Sequence, residues 1–232
     1  DDATWRPHQS IWTVLPIIDS LVARGFNIDM FIPYALRRPP EKMEYFINTD
    51  SFIGIIKPIF ANPNNGIRLH PHGYNHCAEN ISVNDEFLHE SCDVLETKLS
   101  KIQRYPYLDK TVFRPPGWKI RPEIIPCLER LGYKTLALLR RYRDQGMYDS
   151  FKDDCLLNLH WCDYSPPDIS FDLGQIEESG RLDVTYHAAN FLKNDLTPEN
   201  ARELISIVDT LKGRGHEIIF EHITDIDFNT YG

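Results

Sequence analysis

Ile67-Arg68-Leu69-His70-Pro71-His72-Gly73-Tyr74-Asn75-His76 is the stretch on which the reading of the fold turns. Its first three residues read as a short strand, and three imidazoles follow within seven residues. The neutral imidazole nitrogen is the commonest protein ligand for a transition metal. A strand that runs out into a loop can aim two such rings at one ion. The plainer alternative is a chance cluster of surface histidines in a chain that has nine of them.

Upstream, 62–66 has turn composition, and 35–60 reads as irregular, with Arg37-Arg38-Pro39-Pro40 early and a short helix expected at 50–60. This is the expected insertion, a lid or rim loop. Asn27 to Ile32 predicts a buried strand stopped by Pro33. Ile11, Leu15, Ile18 and Val22 lie on one face of a helix expected over 10–25, which Gly25 ends and Pro16 kinks or shortens. Downstream, Asn84 is expected to cap one long amphipathic helix to about Gln103. A strand at 111–113 runs into Arg114-Pro115-Pro116-Gly117-Trp118, and a helix follows from Pro122 to near Gly132. Strands are expected at 135–139, 156–161, 182–187 and 217–220, with a helix from Thr197-Pro198 through Leu211 before the last.

Strands alternating with helices predict a parallel α/β architecture. Polar residues then fall at strand C-terminal ends: His70 to His76, Arg114, Trp161-Cys162-Asp163 and His187, with Asp1-Asp2 ending a strand inferred upstream. In a parallel barrel those ends share the rim that carries the chemistry. The expectation is one domain, 1–232, folded as a distorted (β/α) barrel of about seven parallel strands.

A chain of 232 residues, 42% hydrophobic and 25% charged, buries one sizeable core. Its net charge of −9 argues against a nucleic-acid partner, since phosphate binding needs a basic field. Arg140, Arg141 and Arg143 form one basic run, read as a solvated loop or strand end. No apolar run is long enough to span a membrane, and no signal peptide is visible. The five cysteines, Cys77, Cys92, Cys127, Cys155 and Cys162, are scattered and odd in number, which points to free thiols in a reducing, cytoplasmic setting. Opening on two aspartates without methionine, the chain reads as a domain excised from a longer one. No oligomeric state follows from the pattern.

His72 and His76 with one carboxylate would make a metal site with open positions, the arrangement of catalytic rather than structural zinc. A neighbouring carboxylate could serve as general base, and Asp1 and Asp2 offer the pair. His187 is placed to protonate a leaving amine, with His222 a rival for that role. Arg114 could hold the base ionised through a bidentate contact. Each has a plainer alternative: frayed terminal aspartates, an arginine in a structural ion pair, a core histidine. Trp118, Trp161, Tyr74 and Tyr186 stack on a sugar ring or fill the core.

These residues, in this order, resemble the motifs of the polysaccharide deacetylases, the NodB-homology or carbohydrate esterase family four group. The resemblance covers nearly the whole chain. It implies Asp1 as catalytic base and Asp2 as metal ligand, with His72 and His76 completing the metal set. Arg114-Pro115-Pro116 corresponds to the third motif and Val184-Thr185-Tyr186-His187 to the fifth, so His187 becomes the acid. The family's cofactor is a divalent metal, zinc first, with cobalt or manganese as alternatives, and its substrate an N-acetylated glycan or amino sugar.

The chain departs from the pattern in places. Gly73 stands where the family has Ser or Thr, and the third motif's aromatic arrives one place late as Trp118, after Gly117. In the family the backbone N–H at that place binds the oxyanion, a role Gly117 would inherit. The fourth motif, an aspartate and a tryptophan that tune the acid, has Trp161 and Asp163 as its candidates. The gap from Asp2 to His72 is longer than the family's, in keeping with an insertion at 35–60. The reading is therefore a metal-dependent deacetylase, with a hydrolase of small cyclic amides and a turnover-impaired glycan-binding domain as the other two.

Overall fold

The computed structural model describes residues 11–38, 42–45, 66–74, 86–149, 157–162, 171–188 and 195–227. In chain order the elements are α1 (Ile11–Val22), β1 (Ile28–Ile32), β2 (Ala35–Arg38), β3 (Lys42–Tyr45), β4 (Ile67–Pro71), α2 (Glu86–His89), α3 (Cys92–Ile102) and β5 (Val112–Phe113). Then come α4 (Ile125–Arg130), β6 (Thr135–Leu139), α5 (Arg140–Asp144), β7 (Asn158–Cys162), α6 (Leu173–Ser179) and α7 (Pro198–Gly213).

The expected closed barrel of about seven strands is not what forms. Among the described residues there are two small parallel sheets, β1-β4 and β5-β6-β7, and an antiparallel pair, β2-β3. The two parallel sheets abut without sharing a ladder. Asp109 N–H donates to Leu69 O at 2.7 Å and Arg114 N–H to Pro71 O at 3.4 Å. Pro71 has no N–H to return, Pro115 follows Arg114 immediately, and β5 is two residues long, so pairing stops there. The stretches expected as strands at 182–187 and 217–220 form none, apart from isolated bridge positions at Val184 and His187, the latter paired with Asp195. They attach to the sheets through side chains instead. Asn27 Nδ2 donates to Phe220 O (3.0 Å), Ile223 N–H donates to Asp29 Oδ2 (2.9 Å), and Cys162 Sγ lies 3.1 Å from Thr185 Oγ1.

Other expectations shift. The region opening at 35, read as irregular, begins with the β2-β3 pair; the remainder to 60 lies outside the described residues, as does Asn84. The single helix expected to Gln103 is two, α2 and α3, broken at Glu90-Ser91. The arginine run is a short exposed helix, α5. Helix α6 was not expected, although Asp172 caps it by accepting from Gly174 and Gln175 N–H, and Gly180 ends it at φ +63°. Thr197 caps α7 as its Thr-Pro start predicts.

The cysteines differ most from expectation: Cys92 and Cys127 form a disulfide between α3 and α4, with Cα atoms 5.8 Å apart, while Cys162 is buried and outside it. Thirty-five residues separate the pair, so no local spacing announces it. The core joins Val14, Ile18 and Leu21 of α1, Leu95 and Leu99 of α3, and the inward face of α7 to both sheets. Among the described residues, no helix is long and apolar enough to cross a membrane.

Candidate functional site

The strand ends place the site. β4 stops at Pro71 and β5 at Phe113, so His72 and Arg114 leave adjacent sheet edges side by side. His72 is 1% exposed, and its Nδ1–H donates to the Arg114 carbonyl at 2.8 Å. That bond fixes the tautomer and puts the lone pair on Nε2, as a metal-ligating histidine requires. Asp1, Asp2, His76 and Asp163 lie outside the described residues.

Gly73 explains its own identity. Its φ is +73°, and a Cβ there would fall 2.6 Å from Pro116 Cγ and 2.7 Å from Glu86 Oε2. The loop after β4 thus lies flush against the loop after β5, and only glycine leaves room. Buried Glu86 accepts from Tyr74 N–H at 2.8 Å and faces Lys98 Nζ at 3.7 Å.

Arg114 is 4% exposed and fixed on two sides. Its guanidinium lies over the Phe31 ring at 4.1 Å, and Nη1 donates to Thr185 Oγ1 at 2.8 Å. It also contributes to the field at Asp183, next along the same stretch. Burial alone would raise that carboxyl's pKa, but the His160 ring, Arg181 and Arg114 outweigh it and hold it well below the usual carboxylate range. Asp183, Thr185 and His187 recur every second residue, so an extended chain presents all three on one side. Asp183 meets His160 and Arg181; Thr185 meets Arg114 and Cys162.

His187 meets Trp118. Their rings stack 5.6 Å apart at 14°, and His187 Nδ1 lies 3.9 Å from Oδ1 of buried Asp195. The backbone beneath Trp118 is unusual. Gly117 at φ 66° is followed by Trp118 at φ 55°, a left-handed conformation that costs a non-glycine residue about 1 kcal/mol or more. Trp118 N–H donates to Pro115 O at 2.9 Å, closing the turn.

The 114–118 stretch therefore touches both described histidines of the predicted site: its first residue holds His72 and its last lies against His187. Trp161 is not brought to this group; it lies against Tyr148 (5.7 Å) and Arg143 (6.0 Å). Tyr74 is 8% exposed and stacks on Tyr34 at 4.7 Å. His222, the rival acid, donates from Nδ1 to Asp29 Oδ1 at 3.1 Å. Sequence reasoning gave no role to Asp195, Thr185 or Phe31, although Thr185 stands in the fifth-motif stretch and Phe31 in the expected strand. The alternation 183-185-187 could have found Thr185; no sequence signal marks Asp195 or Phe31.

No family model matches the chain, and no curated protein matches it either.

A cavity of about 480 Å³, with Arg114 and Thr185 in its lining, opens between α1, β1, α7 and the stretches around 184 and 219. Asp29, His160 and Asp183 share its wall, whereas His72, Trp118 and His187 do not line it. It is thus separate from the histidine group.

Proposed function

We propose that the chain is a metal-dependent hydrolase that removes N-acetyl groups from a polysaccharide or amino-sugar glycan. The observation that carries this reading is the double contact of 114–118, which joins a tautomer-fixed His72 to a ring-stacked His187. His72 fits a metal ligand on its buried, Nδ1-donating geometry. By motif order, Asp2 and His76 would complete the set. Zinc held there, or cobalt or manganese in its place, supplies Lewis-acid polarisation of the substrate carbonyl.

The chain's own groups do the rest. Asp1 takes the base role by motif order. His187 donates a proton to the departing amine, its ring oriented by the Trp118 face and set 3.9 Å from the Asp195 carboxylate. Arg114, immobilised by Phe31 and Thr185, presents a fixed positive charge. Gly117, at its left-handed turn, offers the backbone N–H for the oxyanion.

The test is acetate release from N-acetylglucosamine oligomers by protein supplied with zinc or cobalt, with His72→Ala and His187→Ala alongside. Release lost in both variants supports the reading; no release by metal-loaded wild type refutes it. One observation favours a second reading, hydrolysis of a small cyclic amide. Two rings expected to stack on sugar, Tyr74 and Trp161, are packed on Tyr34 and Tyr148. A small-amide screen on the same samples separates the two.

A further inference from the structure

We propose that Cys92 is a thiol-exchange site, the sulfur through which small-molecule disulfides and thiols make and break the Cys92–Cys127 bridge. The two sulfurs are unlike. Cys127 is 1% exposed inside α4, whereas Cys92 is partly exposed as the first residue of the eleven-residue α3. Backbone N–H groups at a helix start stabilise a thiolate. A cation is beside it as well: Arg130 Nη2 lies 2.7 Å from Cys92 Sγ. Glu96 holds that guanidinium, accepting from Nε at 2.8 Å and Nη2 at 2.6 Å. The Glu96 carboxylate also faces the sulfur, at 3.6 Å, but the guanidinium is the nearer charge, so the reduced Cys92 is the accessible, cation-paired sulfur and Cys127 the sheltered one.

Cys92, Glu96 and Cys127 also bring three ligand atoms within 4.8 Å of one another, a spacing that could suit a metal. The guanidinium decides against that use. It sits on both the Cys92 sulfur and the Glu96 carboxylate, where a dication would have to be.

The chemistry balances with a low-molecular-weight disulfide, RSSR, as oxidant. Cys92 thiolate attacks one sulfur, forming Cys92–S–SR and expelling RS⁻. Cys127, deprotonated by that RS⁻, then attacks Cys92 Sγ, forming the bridge and expelling the second RS⁻, which takes up a proton. Two protein thiols lose two electrons, and RSSR becomes two RSH; excess thiol runs the sequence backwards, entering at the partly exposed Cys92. The bridge ties α3, which follows the His72 loop in sequence, to α4, which follows 114–118.

The experiment treats the reduced full chain with oxidised glutathione and maps adducts by peptide mass spectrometry after acid quench. Wild type should form the 92–127 bridge. Cys127→Ser should stop at a mixed disulfide on Cys92, while folded Cys92→Ser leaves Cys127 unmodified. In the Cys127→Ser background, Arg130→Ala should slow adduct formation on Cys92 roughly 3- to 10-fold at neutral pH, and Arg130→Lys should restore most of it. Arg130 is mostly exposed, so these variants should fold. The proposal is overturned if Cys127 is modified as fast as Cys92, if Arg130→Ala leaves the rate unchanged, or if the reduced protein keeps one zinc that Glu96→Ala releases.

Discussion

Replacing Asp29 by Asn should cost about 3 kcal/mol of stability in mildly acidic solution and much less in alkaline solution. Asp29 Oδ1 accepts from His70 Nε2–H at 2.7 Å and His222 Nδ1–H at 3.1 Å, while Oδ2 accepts from Ile223 N–H at 2.9 Å. His70 is wholly buried, and its other nitrogen faces Asp109 Oδ1 at 3.8 Å. Burial alone would lower its pKa, but Asp109 and Asp29 outweigh burial and raise it above the ordinary imidazole value. Burial alone would likewise raise both carboxyls. For Asp29, His222 and His70 outweigh it, and for Asp109, His70 and Thr111 do; both end well below the usual carboxylate range. Removing one partner of a buried pair costs about 3–5 kcal/mol, and Asn keeps one acceptor oxygen, which argues for the lower figure.

The pH dependence has a definite sign. A raised histidine stabilises fully below its unfolded value of about 6.5, and that stabilisation fades as pH climbs through the folded value. The depressed carboxyls stabilise above about pH 4 and lose this as pH falls toward their folded values. Together they predict a stability maximum between about pH 4 and 6.5 from this cluster. Urea unfolding of wild type and Asp29→Asn at about pH 5.5 and about pH 8.5 measures both effects, and the thermal midpoint should drop by about 6–12 °C at the lower pH. A variant within about 0.5 kcal/mol of wild type at the lower pH, or one equally destabilised at both, would refute the assignment of charge to His70.

Gly73→Ala should destabilise by about 2–4 kcal/mol, since the added Cβ meets Pro116 and Glu86 at a left-handed φ; thermal unfolding reads this, and activity should fall with it. Reducing the Cys92–Cys127 bridge frees a 35-residue loop and should lower stability by about 2–4 kcal/mol, measured by urea unfolding with and without dithiothreitol. If the hydrolase reading is right, Asp195→Asn should lower kcat about 10- to 100-fold with KM nearly unchanged, because it faces the proton donor rather than substrate. Thr185→Val should cost about 1.5–3 kcal/mol through the lost bond from Arg114, seen as a shifted urea midpoint.

The placement of His72 and Arg114 is legible because local chemistry dictates it. His72 and Arg114 each follow directly on a strand, and a strand's end is written in the proline or polar residue after the apolar run. Trp118 reads from the sequence as a substrate-facing ring; in the structure its ring stacks on His187. Asp195 gave no local sign, since it reaches His187 by a return of the chain rather than by periodicity.

The sequence by itself determined α1, the Thr197-capped α7 and the short apolar strands β1, β4, β5, β6 and β7, because capping, hydrophobic period and proline act over a few residues. Only the tertiary structure decided how far the strands pair. The two-residue β5 and the missing N–H of Pro71 leave two parallel sheets in place of one closed ring. It also decided the partners: Cys92 with Cys127, His70 with Asp29, Trp118 with His187. Those contacts join residues 35 or more positions apart. Their choice depends on which side chains the packed core can bury together, and no local pattern in the chain encodes that.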